Sequence, residues 1–134
     1  MTISFDESFG IHEKALALRA KRTEVLASNL ANADTPNFKA KDFDFKEALR
    51  AATESTSSNP QTANVKHLSL STDASAVDAV KLKFRNPISP SADGNTVEVQ
   101  KEQAEFAENA LQYQVSLSFL SSRIQNMMSA IKGE

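Results

Sequence analysis

The stretch Leu26 to Ala40, which reads LASNLANADTPNFKA, decides how this chain folds. Asn29 and Asn32 bring side-chain amides to the last turns of a helix, where backbone carbonyls lack helical partners. Pro36 disfavours helical backbone angles at Thr35 and so ends the helix there. A plain helix end needs fewer polar side chains, so the stretch predicts a long helix followed by a specialised turn.

Glycine and proline divide the rest of the chain. They leave two long windows open, residues 11–35 and 95–132, and both residue types disfavour a helix interior. The windows therefore predict two long terminal helices, paired as an elongated antiparallel coiled coil in a mainly α fold. The residues that bound the windows and the middle are Gly10, Pro36, Pro60, Pro87, Pro90, Gly94 and Gly133.

The second window carries an apolar repeat typical of a coiled coil, with spacings that alternate between four and three residues. The turn dipeptide Asp93-Gly94 precedes this helix, Asn95 is expected to cap it, and Glu98 is expected to reach back. We assign the repeat to pairing between the two helices. Its members are Phe106, Ala110, Tyr113, Leu117, Leu120, Ile124, Met127 and Ile131.

Both predicted helices are apolar on more than one side. In the first window the apolar side chains cover about 200° of the circumference, and Arg19 and Arg22 fall inside that arc. In the second window another apolar set lies opposite the repeat. Exposed apolar patches usually mark interaction sites, so we expect contacts between subunits there. The residues assigned to such contacts are Leu18, Val25, Leu30, Leu111, Val115 and Phe119.

The middle of the chain predicts irregular structure with short β elements. The apolar residues over 43–49 suggest a short strand or helical turn, with Asp44 and Glu47 placed to cap the turn. Val80, Leu82 and Phe84 alternate with basic residues as in a short half-buried strand. Residues 53–64 have the composition of a disordered loop. The expected organisation is an N-terminal helix over 1–36, an irregular segment over 37–94 and a C-terminal helix over 95–134.

Composition argues against several classes of function. The chain has 15 basic and 17 acidic side chains, which are scattered and predict no basic face for nucleic acid. It has no cysteine, so disulfides and thiolate chemistry are excluded. His12 and His67 lack metal-ligand spacing, and Asp42 and Asp44 resemble the outer face of a short strand rather than a catalytic pair. We therefore expect no enzyme, cofactor, metal or small-molecule substrate.

The segment from Asn29 to Phe38 resembles the N-terminal signature of the axial proteins of the bacterial flagellum, the rod and hook family. In that family a long helix ends in a Leu-Ala-Asn-x-x-Thr-Pro-Gly-like turn. At Asn37 the family usually has glycine, but asparagine also adopts left-handed backbone angles readily, so the turn should be kept. The matching residues are Asn29, Leu30, Ala31, Asn32, Thr35, Pro36, Asn37 and Phe38.

The C-terminal half is similar to the rod proteins of that family, through Asp93-Gly94-Asn95-Thr96-Val97 and the later run FAENALQYQ over 106–114. The resemblance implies a structural subunit of the proximal rod, whose terminal helices form an inner axial domain, transmit torque and line the export channel. It also implies that the subunit spans the periplasm in the rod of the basal body. The implied partners are further copies, other rod proteins, the junction protein between rod and membrane ring, and the flagellar type III export gate.

The resemblance further implies export without a cleaved signal peptide, and the N-terminus lacks the basic flank and apolar stretch of such a signal. The residues alone leave open a soluble helical adaptor or a secretion chaperone. A helical phosphotransfer domain that uses His12 is a more distant alternative.

Overall fold

The computed structural model describes residues 5–54 and 80–133. These residues form three helices and one two-stranded antiparallel sheet. In chain order the elements are α1 (Phe5–Ala31), β1 (Lys41–Asp42), α2 (Phe45–Glu54), β2 (Lys83–Phe84) and α3 (Val99–Lys132). The mainly α fold with long terminal helices and short β elements is thus confirmed.

The helices α1 and α3 run antiparallel. Asn29 near the end of α1 contacts Glu102 near the start of α3, and Arg19, further back along α1, contacts Gln112 further on. With 27 and 34 residues, α1 and α3 are about 40 and 51 Å long. The pair is therefore elongated, as the fold class predicted.

The helix ends differ in part from those expected. Gly10 lies inside α1 instead of bounding it, because one glycine lowers helix stability by only about 0.5–1 kcal/mol and pairing can offset that loss. The C-terminal end of α3 is at Gly133, which has φ of 77° and donates its N–H to the Ser129 carbonyl at 3.0 Å. The division of the chain at residues 36/37 and 94/95 stays a prediction.

A small core lies where α2 packs on α1. Asp44 caps α2 as predicted, because its Oδ1 accepts the N–H groups of Lys46 at 2.9 Å and Glu47 at 3.1 Å. The disordered loop predicted over 53–64 does not include Thr53 and Glu54, which belong to α2, and residues 55–64 lie outside the described residues. The core consists of Leu18, Val25 and Phe43, with Phe45, Ala48, Leu49 and Val80 packed against it.

The two strands are short and place Lys41 opposite Phe84 and Asp42 opposite Lys83. The strand predicted around Leu82 and Phe84 is present, but it is exposed rather than half-buried, with Phe84 69% accessible to solvent. The reason is that the sheet has only two strands and turns Asp42 toward the helices, which leaves the Phe84 side of the sheet uncovered.

Candidate functional site

A buried amide on α1 forms the first part of the candidate site. The Asn29 side chain accepts the Lys41 N–H at 3.1 Å and donates to the Lys41 carbonyl at 2.8 Å, as a neighbouring strand would. The same amide nitrogen lies 3.1 Å from Glu102 Oε2. Asn29 therefore joins α1 to β1 and to α3 with one side chain.

The turn after α1 is held by the polar residues of the motif. Asn32 donates from its amide to the Ser28 carbonyl at 2.8 Å and accepts from the Thr35 hydroxyl at 3.2 Å. Asn37 has φ of 60°, so the left-handed conformation expected from the family turn is confirmed. Among the remaining motif residues, Leu30 and Phe38 are half-buried, and Ala31 and Pro36 are exposed.

The second motif, over 93–97, docks directly on this turn. The Asn37 N–H donates to the Asp93 carbonyl at 2.9 Å, and the Thr96 N–H donates to the Phe38 carbonyl at 3.0 Å. Gly94 has φ of 73°, and a Cβ at that position would lie 2.6 Å from Asn37 Oδ1. Two segments that lie far apart in the sequence therefore form one interlocked double turn.

Asn95 caps α1 rather than α3, so the capping prediction for this residue is wrong. Its amide nitrogen lies 3.0, 2.7 and 2.9 Å from the carbonyls of Asn32, Ala33 and Thr35. The N-cap of α3 is Glu98, which makes no side-chain capping bond and instead accepts the Ile88 N–H at 2.7 Å. The local capping pattern gave way because the free carbonyls at the end of α1 lie beside Asn95.

A half-buried ion network lies next to the double turn. Arg22 binds Asp42 with two nitrogens, at 3.2 and 3.0 Å, and Glu105 at 2.7 Å. Arg85 also binds Asp42 and reaches Glu102 at 2.6 Å, and the Glu102 side chain is only 1% exposed. Two arginines and three carboxylates thus connect α1, β1, the segment after β2, and α3.

The network shifts the pKa values of Asp42 and Arg22. Burial on its own would raise the pKa of Asp42, but hydrogen bonds from Arg22, the Phe43 amide and Arg85 outweigh it and hold that pKa below its ordinary value. The hydrogen bond to Asp42 raises the pKa of Arg22. Asp42 therefore stays ionised within the network, and the expectation that it faces outward on a strand is wrong.

Polar residues continue along the contact between α1 and α3. Asn109, which is fully buried, donates to the Arg19 carbonyl and to the Thr23 hydroxyl, both at 2.9 Å. Arg19 donates to Gln112 and stacks on the Phe45 ring at 4.2 Å. Burial lowers the pKa of Arg19, and the nearby charge of Arg22 lowers it further. The contact is therefore specified by hydrogen bonds as well as by apolar packing.

The residues assigned to helix pairing differ in their exposure. Phe106, Leu120 and Met127 are half-buried, while Ile131 is 74% exposed. The other four members are exposed, namely Ala110, Tyr113, Leu117 and Ile124. Their assignment to pairing stays a prediction.

The residues assigned to subunit contacts fall into two groups. Leu18 and Val25 are buried in the core of this subunit, and Leu30 is half-buried at the end of α1. Leu111, Val115 and Phe119 project from α3 into solvent. The assignment of these six residues to contacts between subunits stays a prediction.

Sequence reasoning missed the ion network and the buried Asn109. One signal was present, because Arg19 and Arg22 interrupt the apolar arc of α1, and buried cations require partners. Their partners stand in other elements, and no local pattern in the sequence connects them. The network is a structural feature that positions the two helices.

Neither a metal-binding cluster nor a membrane-spanning helix is found among the described residues. Across 5–54 and 80–133, no three acidic or histidine side chains are grouped to hold a metal ion. No helix within those ranges combines the length and apolarity that a bilayer crossing requires. His12 is half-buried on α1, and His67 lies outside the described residues.

The first half of the double turn lies in a segment that matches a known family. The model of the family described as "Flagella basal body rod protein" matches residues 9–39, which include most of α1 and the turn after it. This match covers 31 of the 134 residues and agrees with the resemblance to the flagellar rod and hook family.

Full-length relatives identify the family more closely. The chain is 49% identical to the flagellar basal body rod protein FlgB of Aeromonas hydrophila, over 100% of this chain and 99% of the relative. It is 46% identical to FlgB of Cereibacter sphaeroides, over 97% and 98%, and 40% identical to FlgB of Escherichia coli strain K12, over 98% of each. The chain belongs to the FlgB family of flagellar basal body rod proteins.

Proposed function

We propose that this chain polymerises through its terminal helices as a structural subunit of the proximal rod. The observation that carries the proposal is the surface of α3. Leu111 and Phe119 are 65% and 64% exposed, and no charged residue occurs between Glu108 and Arg123. A long, uncharged and partly apolar helical surface is typical of a protein interaction site.

The helix pair has surfaces for two kinds of contact. Asn29, Arg22 and Asn109 hold α1 against α3 within the subunit. Leu111, Val115 and Phe119 are then free to pack against neighbouring subunits, with Leu30 contributing from α1. The predicted pairing residues that are partly exposed, such as Tyr113 and Leu117, would serve both contacts at their shared edge.

The same arrangement supports transmission of torque along the rod. Directional hydrogen bonds and ion pairs resist sliding between α1 and α3 better than apolar contacts alone, because they hold at one register only. Neighbouring pairs that pack side by side would surround a central export channel. The proposed partners are further copies of this chain, other rod proteins, the junction protein to the membrane ring, and the export gate.

The subunit is proposed to reach its place in the rod across the periplasm by the flagellar type III apparatus, without cleavage of a signal peptide. Its described fold has a small core and two long exposed helices. Such a fold gains much of its stability only when neighbouring subunits cover the helices.

A charge on the exposed side of α3 tests the proposal. Phe119→Asp is expected to leave the isolated subunit folded, because the side chain is mostly exposed, but to abolish motility and incorporation into purified basal bodies. Lys46→Asp, an exposed change on α2, is the matched control and should assemble normally. Normal motility of the Phe119→Asp strain would contradict the proposed interface.

A further inference from the structure

The two-stranded sheet has one closed edge and one open edge. The Arg85 N–H donates to the Ala40 carbonyl at 2.9 Å. The neighbouring pair, Lys41 and Phe84, is therefore a non-hydrogen-bonded pair, in which the N–H and C=O groups of each residue point away from the other strand. On the β1 side, the outward groups of Lys41 are bound by the Asn29 amide. On the β2 side, the N–H and C=O of Phe84 point away from the sheet, and no other described residue binds them.

The open edge has a regular side-chain pattern. From Lys81 to Arg85 the sequence is KLKFR, so basic and apolar residues alternate between the two faces. Leu82 and Phe84 are 44% and 69% exposed, and Lys83 is also exposed, although it forms an ion pair with Glu47 at 2.7 Å. An added strand would therefore meet apolar side chains on one face and lysines on the other.

The chain's own strand pairing indicates which sequence this edge selects. β1 and the residue after it read KDF, with Asp44 following, and Asp42 lies opposite Lys83. Acidic side chains thus already bind the basic side of β2, since Glu47 pairs with Lys83 and Asp42 pairs with Arg85. Opposite charges on directly opposed residues stabilise a sheet. The outer edge presents the same pattern to any second strand.

A second copy of this chain does not supply a suitable strand. Pairing of two β2 edges would bring lysines of both copies together, and like charges across a sheet are destabilising. The acidic strand β1 of another copy is occupied, since Asp42 binds Arg22 and Arg85 and Phe43 is buried. Neither described strand of a second copy fits this edge, so we take the occupant to be a segment of a different protein.

We propose that the outer edge of β2, residues 81–85, binds an extended segment of a different protein in which acidic and apolar residues alternate. The segment adds a third strand, whose backbone forms hydrogen bonds with the N–H and C=O of Phe84. Its acidic side chains lie beside Lys81 and Lys83. This is recognition by strand addition, in which backbone hydrogen bonds supply affinity and alternate side chains supply specificity.

Model peptides test the proposal on the full-length chain. Fluorescence anisotropy would compare a labelled peptide of repeating Asp-Val pairs with a peptide of repeating Lys-Val pairs. A third peptide has the Asp-Val composition arranged in two blocks, which keeps the charge but removes the alternation. The alternating acidic peptide is expected to bind about tenfold more tightly than either control.

Charge reversal should exchange the specificity. The double variant Lys81→Glu/Lys83→Glu should prefer the Lys-Val peptide, whereas Lys46→Glu/Lys132→Glu, with the same change in net charge elsewhere, should retain the wild-type preference. A wild-type chain that binds the block peptide as tightly as the alternating one would overturn the proposal. The lysines would then only protect the edge from aggregation.

A backbone variant decides the matter if the double reversal does not fold. Phe84→Pro removes both the ring and the outward N–H, while Phe84→Ala removes the ring and keeps that donor, so the two variants differ in the backbone donor. Binding of the Asp-Val peptide should be weaker for the proline variant than for the alanine variant. Equal binding by these two variants would refute addition of a strand at this edge.

Discussion

Replacement of Asp42 by asparagine tests the role of the ion network most sharply. The carboxylate accepts two hydrogen bonds from Arg22 and one from Arg85, and its side chain is only 16% exposed. In Asp42→Asn an amide group with two donors faces two guanidinium groups, and one charge-assisted contact at least is lost. We expect the free energy of unfolding to fall by about 2–4 kcal/mol at neutral pH.

The sign of the pH dependence follows from the lowered pKa of Asp42. A carboxyl group whose folded pKa lies below its unfolded value stabilises the fold above the unfolded pKa, and that contribution is lost as the pH falls through the folded value. The wild-type chain should therefore lose its advantage over Asp42→Asn on acidification. Protonation removes the same charge that the substitution removes.

Urea unfolding followed by circular dichroism measures both effects between about pH 3 and pH 7. Asp44→Asn is the matched control, because Asp44 is exposed and asparagine also caps helices well. A loss at Asp42 no larger than at Asp44, or a difference from wild type that is unchanged at the acidic limit, would refute the reasoning.

Three further predictions concern the double turn, and each is measured by the free energy of unfolding. Asn95→Asp should destabilise the chain by about 2–4 kcal/mol, because a carboxylate would replace the amide that donates to the end of α1, whereas exposed Asn86→Asp should be nearly neutral; equal effects would contradict the capping role. Gly94→Ala should cost about 1–3 kcal/mol because of its positive φ and the close Asn37 side chain, while Gly10→Ala within α1 should stabilise by about 0.5–1 kcal/mol. The opposite order would rule out the strain at Gly94. Asn37→Gly should change stability by less than about 1 kcal/mol, since glycine suits the same left-handed conformation, and a large loss would mean that the Asn37 side chain itself is required.

Local features of the fold were predictable because local chemistry determines them. The spacing of glycine and proline predicted two long helices, Asp44 was expected to cap a short element, and Asn37 was expected to keep a left-handed turn. Each of these features depends on backbone angles or hydrogen bonds within a few residues.

Long-range polar contacts were not predictable from the sequence alone. Asn95 lies 60 to 63 residues along the chain from its three acceptor carbonyls. Arg22 binds partners on both β1 and α3. Which of several polar side chains meets an orphan carbonyl or a buried charge depends on how the helices pack. The apolar repeat of α3 predicted that a second helix would pack there, but it did not reveal the buried Glu102 and Asn109.

A cryo-electron microscopy map of the assembled basal body tests the central claim most directly. The claim is that the polar contacts hold α1 and α3 together within one subunit, while the exposed side of α3 binds its neighbours. The map should show Leu111, Val115 and Phe119 packed against an adjacent subunit, with Asn29 still bonded to Glu102 in the same chain. A map in which those three side chains face open solvent, or in which α1 and α3 of one subunit are separated, would contradict the account.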